Sequence, residues 1–177
     1  MPYPILDPTG TTMTAAKPAP RARRRASLRG ATVGLLVNTK QNAAPFLDEV
    51  GRLLVAEHGA TATMARTKVN FAAPAPGELI KEMTTGCDVI ITGIGDCGSC
   101  SASAVADGIA FEAAGLPAAA ICSDAFGVTA DAMAELRGAP GYPYATTPHP
   151  VAVLTPDQVK ERAAQVLADV VKLLTQA

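Results

Sequence analysis

The stretch that decides the fold is Val89-Ile-Ile-Thr-Gly-Ile-Gly95, followed directly by Asp96-Cys-Gly-Ser-Cys100. Its apolar run ending in glycines is typical of a buried strand that turns tightly at its end. A run of small residues follows from about Ser101 to Ala114 and has the length of a helix. Both cysteines therefore fall where a helix N-terminus presents unpaired N–H groups. Such a position stabilises a thiolate, the reactive form of cysteine.

Strands and helices alternate on either side of this stretch. Apolar runs predict four strands and a possible fifth: 31–37, 60–66, 88–93, 118–122 and 142–147. Amphipathic periodicity predicts the helices: one containing Pro45 and stopped by Gly59, then 78–85, 101–114 and 129–136, and a last one that starts at a capping box at Thr155. We therefore expect a three-layer α/β sandwich around a mostly parallel sheet of about five strands, of the flavodoxin or Rossmann-like type.

The first 29 residues differ from the rest, because they are rich in proline, threonine and arginine and show little periodicity. We expect residues 1–29 to form an extended arm and residues 30–177 to form a single α/β domain. The basic cluster from Arg21 to Arg25 fits a solvated tail, which we favour, or a contact to an anionic ligand or partner subunit. The run from Tyr3 to Gly10 is apolar enough to pack on a neighbouring chain, so we expect a homodimer or higher homo-oligomer.

Composition argues against several classes of protein. The 177 residues carry a formal net charge of −1, so no global field attracts nucleic acid or an anionic membrane. No apolar run approaches the roughly 20 residues that span a bilayer. Four cysteines do not make a disulfide scaffold in a chain of this size, and Cys87 and Cys122 lie in apolar surroundings typical of buried packing residues. We expect a cytoplasmic, reducing compartment, with no nucleic-acid or membrane partner.

Polar and reactive side chains follow all five predicted strands. The carboxyl ends of parallel strands share one edge of a sheet, where ligands bind. Residues after successive strands should therefore converge on one site: Asn38, Lys40 and Asn42; Lys68; Asp96, Cys97, Ser99 and Cys100; Ser123 and Asp124; and His149. Among them Asp96, Cys97, Cys100 and His149 are the candidates for catalysis, and the others are candidates for substrate binding.

The two cysteines are predicted to divide the chemistry between them. In a Cys-x-x-Cys pair that opens a helix, the first sulfur is usually the exposed nucleophile and the second resolves a mixed disulfide. We therefore assign Cys97 as the nucleophile and Cys100 as the resolving thiol. Asp96 disfavours a neighbouring thiolate by like-charge repulsion, unless it accepts the proton of the thiol or points away. Compensating positive charge is available from three predicted neighbours: Lys40, Lys68 and His149.

The role of His149 is open between acid–base chemistry and structure. Asp124 either orients His149 or a substrate group, or caps the next helix. Two thiols and His149 can hold a catalytic zinc ion with water as the fourth ligand, whereas a structural zinc site usually needs four protein ligands. The full glycine fingerprint of dinucleotide binding is absent, and the first strand ends in Asn-Thr-Lys instead. We predict neither a metal nor a cofactor.

The segment from Gly93 to Ser101 resembles the signature of the UGSC family, which is named for selenocysteine-Gly-Ser-Cys, with cysteine replacing selenocysteine in many members. The resemblance extends over nearly the whole chain: Ile5 to Thr9, Val33 to Lys40, Ser123 to Phe126, Pro148 to Pro150 and Leu154 to Pro156. Cys97 matches the selenocysteine position, which implies a redox-active or nucleophilic sulfur. A fainter similarity to aspartate/glutamate racemase-like enzymes implies two thiols flanking a substrate carbon, but here both thiols lie in one turn.

Three functions follow as expectations. The first, which we favour, is a thiol-disulfide oxidoreductase acting on a small-molecule or thiol substrate and reset by an external thiol or reductase. The second is a cysteine-dependent lyase, hydratase or isomerase, in which Cys97 acts covalently, Asp96 or His149 transfers protons, and Lys40 and Asn42 bind the substrate. The third is a non-enzymatic metal- or ligand-binding subunit.

Overall fold

Strand and helix alternate throughout residues 19–176, which are the residues described by the computed structural model. The strands are β1 Thr32–Val37, β2 Ala62–Thr67, β3 Val89–Gly95, β4 Ala118–Ser123 and β5 Ala145–Thr147. The helices are α1 Ala43–His58, α2 Gly77–Gly86, α3 Gly98–Ala113, α4 Gly127–Leu136 and α5 Pro156–Leu174. A single 3₁₀ turn, Asp124–Phe126, joins β4 to α4.

All five strands are parallel and lie in the order β2-β1-β3-β4-β5. This is the flavodoxin-like strand order. Strand β2 lies on one side of β1 and strands β3 to β5 lie on the other, so the switch point of the order lies between β1 and β3. Helices α1 and α5 pack together on one face of the sheet, and α3 packs with α4 and α2 on the other. The predicted three-layer α/β sandwich is therefore confirmed, and the carboxyl ends of the strands meet at one edge.

Strand β3 is the centre of the sheet, and all seven of its residues are buried. Its last glycine lets α3 approach closely, since a Cβ atom at Gly95 would lie 2.7 Å from the Cα of Ser101 and 2.9 Å from the Sγ of Cys122. Helix α3 is itself almost wholly buried between the sheet and its neighbouring helices. The start of α3 is consequently held in a set position at the edge where β3 ends.

Two boundaries differ from the sequence prediction for identifiable reasons. Helix α3 begins at Gly98 rather than near Ser101, because the sulfur of Cys97 acts as its N-cap and accepts the backbone N–H of Cys100 at 3.4 Å. Strand β5 is limited to Ala145–Thr147 instead of 142–147. Pro143 has no N–H to donate to a ladder, and Tyr142 instead packs in the core, with its hydroxyl donating to the carbonyl oxygen of Ala118 at 3.3 Å.

The described part of the arm lies against the domain. The guanidinium of Arg24 pairs with the buried carboxylate of Glu112 at 2.7 Å, and that of Arg25 pairs with Asp88 at 2.9 Å. Arg25 also forms a parallel bridge to Thr175 beyond the end of α5. The favoured prediction of a solvated basic tail is therefore wrong for these two arginines, because acidic partners distant in sequence neutralise them. The predicted packing of Tyr3 to Gly10 lies outside the described residues.

Candidate active site

The Asp96 side chain makes three hydrogen bonds at the carboxyl edge of the sheet. It directly follows β3, and its carboxylate is 2% exposed. The backbone N–H groups of Val151 and Ala152 donate to its two oxygens at 3.0 and 2.8 Å. The Nδ1 atom of His149 lies 3.0 Å from the same oxygen that Val151 contacts. The carboxylate therefore points into the loop after β5.

These contacts decide the charge of Asp96. Burial raises the pKa of its carboxyl group, but the N–H donors of Val151 and Ala152, with Ser123 and His149, outweigh burial and lower the pKa below its usual 3.8. Asp96 is therefore ionised at neutral pH. An ionised carboxylate only accepts hydrogen bonds, so Nδ1 of His149 carries the proton of their shared hydrogen bond.

His149 makes three contacts with the protein, and its side chain is partly exposed to solvent. Its ring meets Asp96 through Nδ1, its backbone N–H donates to Asp124 Oδ1 at 3.0 Å, and Phe126 packs edge-on against the ring at a centroid distance of 5.1 Å. The side chain is nevertheless 38% exposed. With Nδ1 committed to Asp96, Nε2 is the nitrogen that can accept a proton in the neutral ring. Of the two roles open for Asp124, the structure shows orientation of His149, through its backbone.

The two cysteines occupy different depths at the start of α3. Cys97 is half-buried at the N-cap position, whereas Cys100 is fully buried in the first turn. Their sulfurs are joined as a disulfide, and their Cα atoms lie 5.2 Å apart. Ser99 is exposed between them, with its hydroxyl oxygen 3.6 Å from the sulfur of Cys97. A half-buried cysteine, directly after Asp96 in the sequence, is thus followed one turn later by a fully buried one.

A comparison with protein families decides the relationship of this chain. The model of the UGSC family matches residues 4–176, nearly the whole sequence. The chain belongs to the UGSC family. No curated protein matches it significantly.

One solved structure similar to this UGSC family member is an ABC transporter permease from the Pseudomonas fluorescens group. The two are 15% identical, with a TM-score of 0.35, and the alignment covers 80% of this chain and 32% of that chain. This chain therefore spans about a third of the length of that protein. A likeness at this level carries no argument about function.

Three predicted site residues of this UGSC family member donate hydrogen bonds to backbone carbonyl oxygens at the carboxyl edge of the sheet. The amide nitrogen of Asn38 donates to the Ile94 carbonyl oxygen at 2.8 Å. The amide nitrogen of Asn42 reaches three carbonyl oxygens of the loop after β5, among them that of Leu154 at 2.9 Å. The buried hydroxyl of Ser123 donates to Gly95 at 3.0 Å. Through these hydrogen bonds the three side chains position the backbone around the site.

Lys68 corrects the sequence prediction. It was expected at the substrate site, but it is 4% exposed and its ammonium is sealed beneath the loop after β2. The three protons of the ammonium face three acceptors: the Ala73 carbonyl oxygen, the Ser103 hydroxyl and the Asp107 carboxylate. Asp107 comes from the middle of α3, and a sequence pattern of single strand ends cannot show that pairing. Lys68 is therefore neither a substrate ligand nor a counter-charge for Cys97.

Lys40 and the two other cysteines complete the comparison with the sequence prediction. Lys40 lies half-buried just after β1, and its ammonium has no hydrogen bond or ion pair within residues 19–176. Cys122 is fully buried as predicted, and burial raises the pKa of its thiol to about 12. Cys87 is only half-buried, and burial, with Asp88 nearby, raises the pKa of its thiol to about 11. Neither of these two thiols is activated.

Sequence reasoning missed the residues that hold the Asp96–His149 pair. Val151 and Ala152 act through backbone N–H groups, which leave no signal in the side-chain sequence. Phe126 lies in the Ser-Asp-Ala-Phe segment that supported the family resemblance, and this was the one available signal. Thr129 is also close, since a Cβ atom at Gly98 would meet its methyl group at 3.5 Å.

Two kinds of feature do not occur in the part of the chain that the structure describes. Within residues 19–176 there is no group of three or more His, Cys, Asp or Glu side chains arranged to hold a metal ion. None of the described helices combines the length and apolar character needed to cross a membrane.

Proposed function

We propose that this UGSC family member is a thiol-disulfide oxidoreductase that uses Cys97 as nucleophile and Cys100 as resolving thiol. The observation that carries the proposal is the pairing of a half-buried cysteine at the N-cap of α3 with a fully buried cysteine one turn later. A helix N-terminus favours an anionic sulfur through its free N–H groups and dipole. The resemblance of Cys97 to the selenocysteine position supports the same assignment.

The proposed reaction balances with two thiols and one substrate disulfide. The Cys97 thiolate attacks one substrate sulfur, the substrate S–S bond breaks, and the second substrate sulfur leaves as a thiolate. The Cys100 thiolate then attacks Cys97 Sγ, and the first substrate sulfur leaves. Two electrons pass to the substrate, which becomes two thiols, and the protein keeps the Cys97–Cys100 disulfide. An external thiol reductant of the cytoplasm reverses these steps and restores both thiols.

The Asp96–His149 pair supplies the proton transfer that these steps need. Each attacking sulfur must lose a proton before it reacts, and we assign this proton to Nε2 of His149, whose ring is hydrogen-bonded to Asp96, the residue before Cys97. Asp96 holds the proton on Nδ1 and stabilises the charged ring after Nε2 has taken up the second proton. The lowered pKa of Asp96 keeps it in the ionised form that this role requires.

The test follows the two sulfurs separately. Reduced wild-type protein and the Cys97→Ser, Cys100→Ser and Cys87→Ser variants are exposed to a mild disulfide oxidant and analysed by mass spectrometry. We expect an intramolecular disulfide in wild type and Cys87→Ser, a stable mixed disulfide on Cys97 in Cys100→Ser, and no adduct in Cys97→Ser. Failure of the wild type to form the intramolecular disulfide would rule out the resolving role of Cys100.

A second candidate function is a cysteine-dependent lyase, hydratase or isomerase. The specific observation that favours it is the ammonium of Lys40, which is uncommitted within residues 19–176 and follows β1 at the site edge. Such a cation can bind a carboxylate while His149 moves a proton. Turnover that survives Cys100→Ala but not Cys97→Ala would favour this chemistry over redox cycling, because only redox cycling needs the second thiol.

A further inference from the structure

Asn42 is joined to the Asp96 carboxylate through a single peptide group. The peptide between Val151 and Ala152 carries the Val151 carbonyl oxygen and the Ala152 N–H. Its oxygen accepts from Nδ2 of Asn42 at 3.0 Å, and its N–H donates to Oδ2 of Asp96 at 2.8 Å. Because a trans peptide is planar, its oxygen and its hydrogen point in opposite directions, and a donor that fixes one end also aims the other. Asn42 therefore sets the direction of an N–H group that Asp96 accepts.

The Asn42 amide also holds the rest of this loop. Its Nδ2 atom lies 3.2 Å from the Ala152 carbonyl oxygen and 2.9 Å from that of Leu154. An amide nitrogen carries two protons, so three acceptors use its whole donor capacity. The Leu154 N–H closes the same turn by donating to the Val151 carbonyl oxygen at 3.2 Å. The loop is thus tied to Asn42 at three oxygens and to itself at one.

The backbone of Asn42 shows that its side chain is not used to start α1. Asn42 is the N-cap residue of this helix, but its side chain makes no capping hydrogen bond. Its φ is 65° and its ψ is 0°, in the left-handed region that glycine and asparagine adopt more readily than other residues. The amide therefore serves the loop after β5, and glycine is the substitution that removes it without adding backbone strain.

The Asp96–His149 pair lies at the other end of this chain of contacts. Nδ1 of His149 is 3.0 Å from Oδ1 of Asp96, which makes Asp96 the charged side chain that pairs with the ring. Two other charged residues bind the backbone nearby. Asp124 accepts the N–H of His149 at 3.0 Å, and Arg162 of α5 donates to the Pro148 carbonyl oxygen at 2.9 Å. The ionic partner of the ring is therefore Asp96, whose own position depends on the N–H groups of the loop.

We infer that Asn42 is a positioning residue for the proposed thiol-disulfide exchange: it orients the Asp96 carboxylate through one loop peptide and thereby orients the His149 ring. The inference rests on the proposed function, in which His149 takes up the thiol proton. It gives a new role to a side chain that the sequence predicted to bind substrate. A hydrogen bond at a peptide oxygen also polarises the N–H at the other end of the group, so Asn42 favours the ionised form of Asp96.

The experiment measures how fast Cys97 forms a mixed disulfide in the reduced Cys100→Ser protein. The reagent is dithiobis(nitrobenzoate). The Cys97 thiolate attacks one of its sulfurs, the S–S bond of the reagent breaks, and thionitrobenzoate leaves as the coloured thiolate. The Cys97→Ser/Cys100→Ser protein gives the background from Cys87 and Cys122.

Two substitutions of Asn42 remove its donors in different ways. Asn42→Gly deletes the amide and suits the φ of 65°. Asn42→Asp keeps the shape of the side chain but turns acceptor atoms towards three carbonyl oxygens. Asn70→Gly is the matched control, because the Asn70 side chain accepts the Ala72 N–H at 2.9 Å within its own exposed loop.

We expect both Asn42 substitutions to slow the reaction about tenfold at neutral pH, less than loss of the base, because the base is misplaced but present. Asn70→Gly should react like the Cys100→Ser parent. The slowing should fade at alkaline pH, where the solvent deprotonates the thiol without His149. In a protein that also carries His149→Gln, Asn42→Gly should add no further slowing, because its effect passes through that ring.

The Asp96 carboxyl group gives a second readout. Burial raises its pKa, but the N–H groups of Val151 and Ala152, with the Ser123 and His149 side chains, lower the pKa below its usual 3.8. Asn42→Gly loosens the two N–H donors, so it should raise the pKa of Asp96. Carbon-13 NMR of the labelled carboxyl group measures the titration in both proteins.

Four results would contradict the inference or its basis. Parent-like rates in both Asn42 variants, with His149→Gln slow, would remove Asn42 from the pair and leave the proposed function intact. Equal slowing by Asn42→Gly with and without His149 would reduce its role to packing. An unchanged pKa of Asp96 in Asn42→Gly would break the link through the peptide. No reaction of Cys97 with the reagent in the parent would instead refute the proposed function itself.

Discussion

Two buried acidic residues flank the first half of α3, and they differ in what surrounds them. Asp107 pairs with Lys68, and both side chains are at most 3% exposed. Asp96 pairs with His149, where the carboxylate is sealed but the histidine is 38% exposed. Every proton of the Lys68 ammonium has a protein acceptor. Within residues 19–176 Nε2 of His149 has no hydrogen-bond partner, so only the second pair offers an ionisable nitrogen to solvent.

The carboxyl pKa values of the two pairs move in opposite directions. Burial raises the pKa of Asp107 and outweighs the lowering by Lys68 and by the N–H of Ala75. At Asp96 burial also raises the pKa, but two backbone N–H groups, a hydroxyl and a histidine together outweigh it. The comparison teaches that a buried charge whose partner is fully satisfied anchors a loop. A buried charge whose partner reaches solvent can take part in chemistry.

The largest expected effect is the loss of stability when the buried Lys68–Asp107 pair is broken. Lys68→Met should lower the free energy of unfolding by about 3–5 kcal/mol, because it leaves the Asp107 carboxylate buried without its counter-charge. Urea denaturation at neutral pH measures the loss. The matched control, Lys68→Met with Asp107→Leu, removes both charges and should recover most of the stability.

The pH dependence of Lys68→Met tests the cause. Without Lys68 the folded pKa of Asp107 should rise further above its usual 3.8, so the folded state binds this proton more tightly than the unfolded state. The variant should therefore gain stability relative to wild type as the pH falls through the folded pKa towards 3.8. A difference from wild type that stays constant over this range would contradict the assignment.

The next effect concerns the His149–Asp96 pair, and it is expected on the reaction rate rather than on stability. His149→Gln should slow mixed-disulfide formation at Cys97 about a hundredfold at neutral pH, the lower end of general-base effects. Stopped-flow release of thionitrobenzoate measures the rate. The gap to wild type should close at alkaline pH, where the solvent deprotonates the thiol. His58→Gln, at the end of α1, is the matched control and should react like wild type.

The smallest effect is expected on stability when the Asp96 carboxylate is replaced. Asp96→Asn should lower the free energy of unfolding by about 1–3 kcal/mol, because an amide cannot accept from Val151, Ala152 and His149 together. The folded pKa of Asp96 is lowered, so its contribution is present above 3.8 and is lost as the pH falls through the folded value. Urea titrations should show the two proteins converging in acid, and a pH-independent gap would contradict this account.

Much of the fold could be predicted because its signals are local. Strand β3 is a continuous apolar run ending in glycines, and the capping box at Thr155 marked the start of α5 where the structure has it. The parallel arrangement followed from alternation alone, and it placed the carboxyl ends of the strands at one edge. The length of β5 was less predictable, because the packing of Tyr142 in the core depends on α3 and β4.

The sequence by itself determined that two thiols stand after the central strand, and that polar residues from several strands reach the same edge. Only the tertiary structure decided which of those residues pair with other side chains of the protein. Asp96 meets His149 across 53 positions and Lys68 meets Asp107 across 39. The physical reason is that a charge is freed or sealed by the groups packed around it, and those groups come from segments that only the fold brings together.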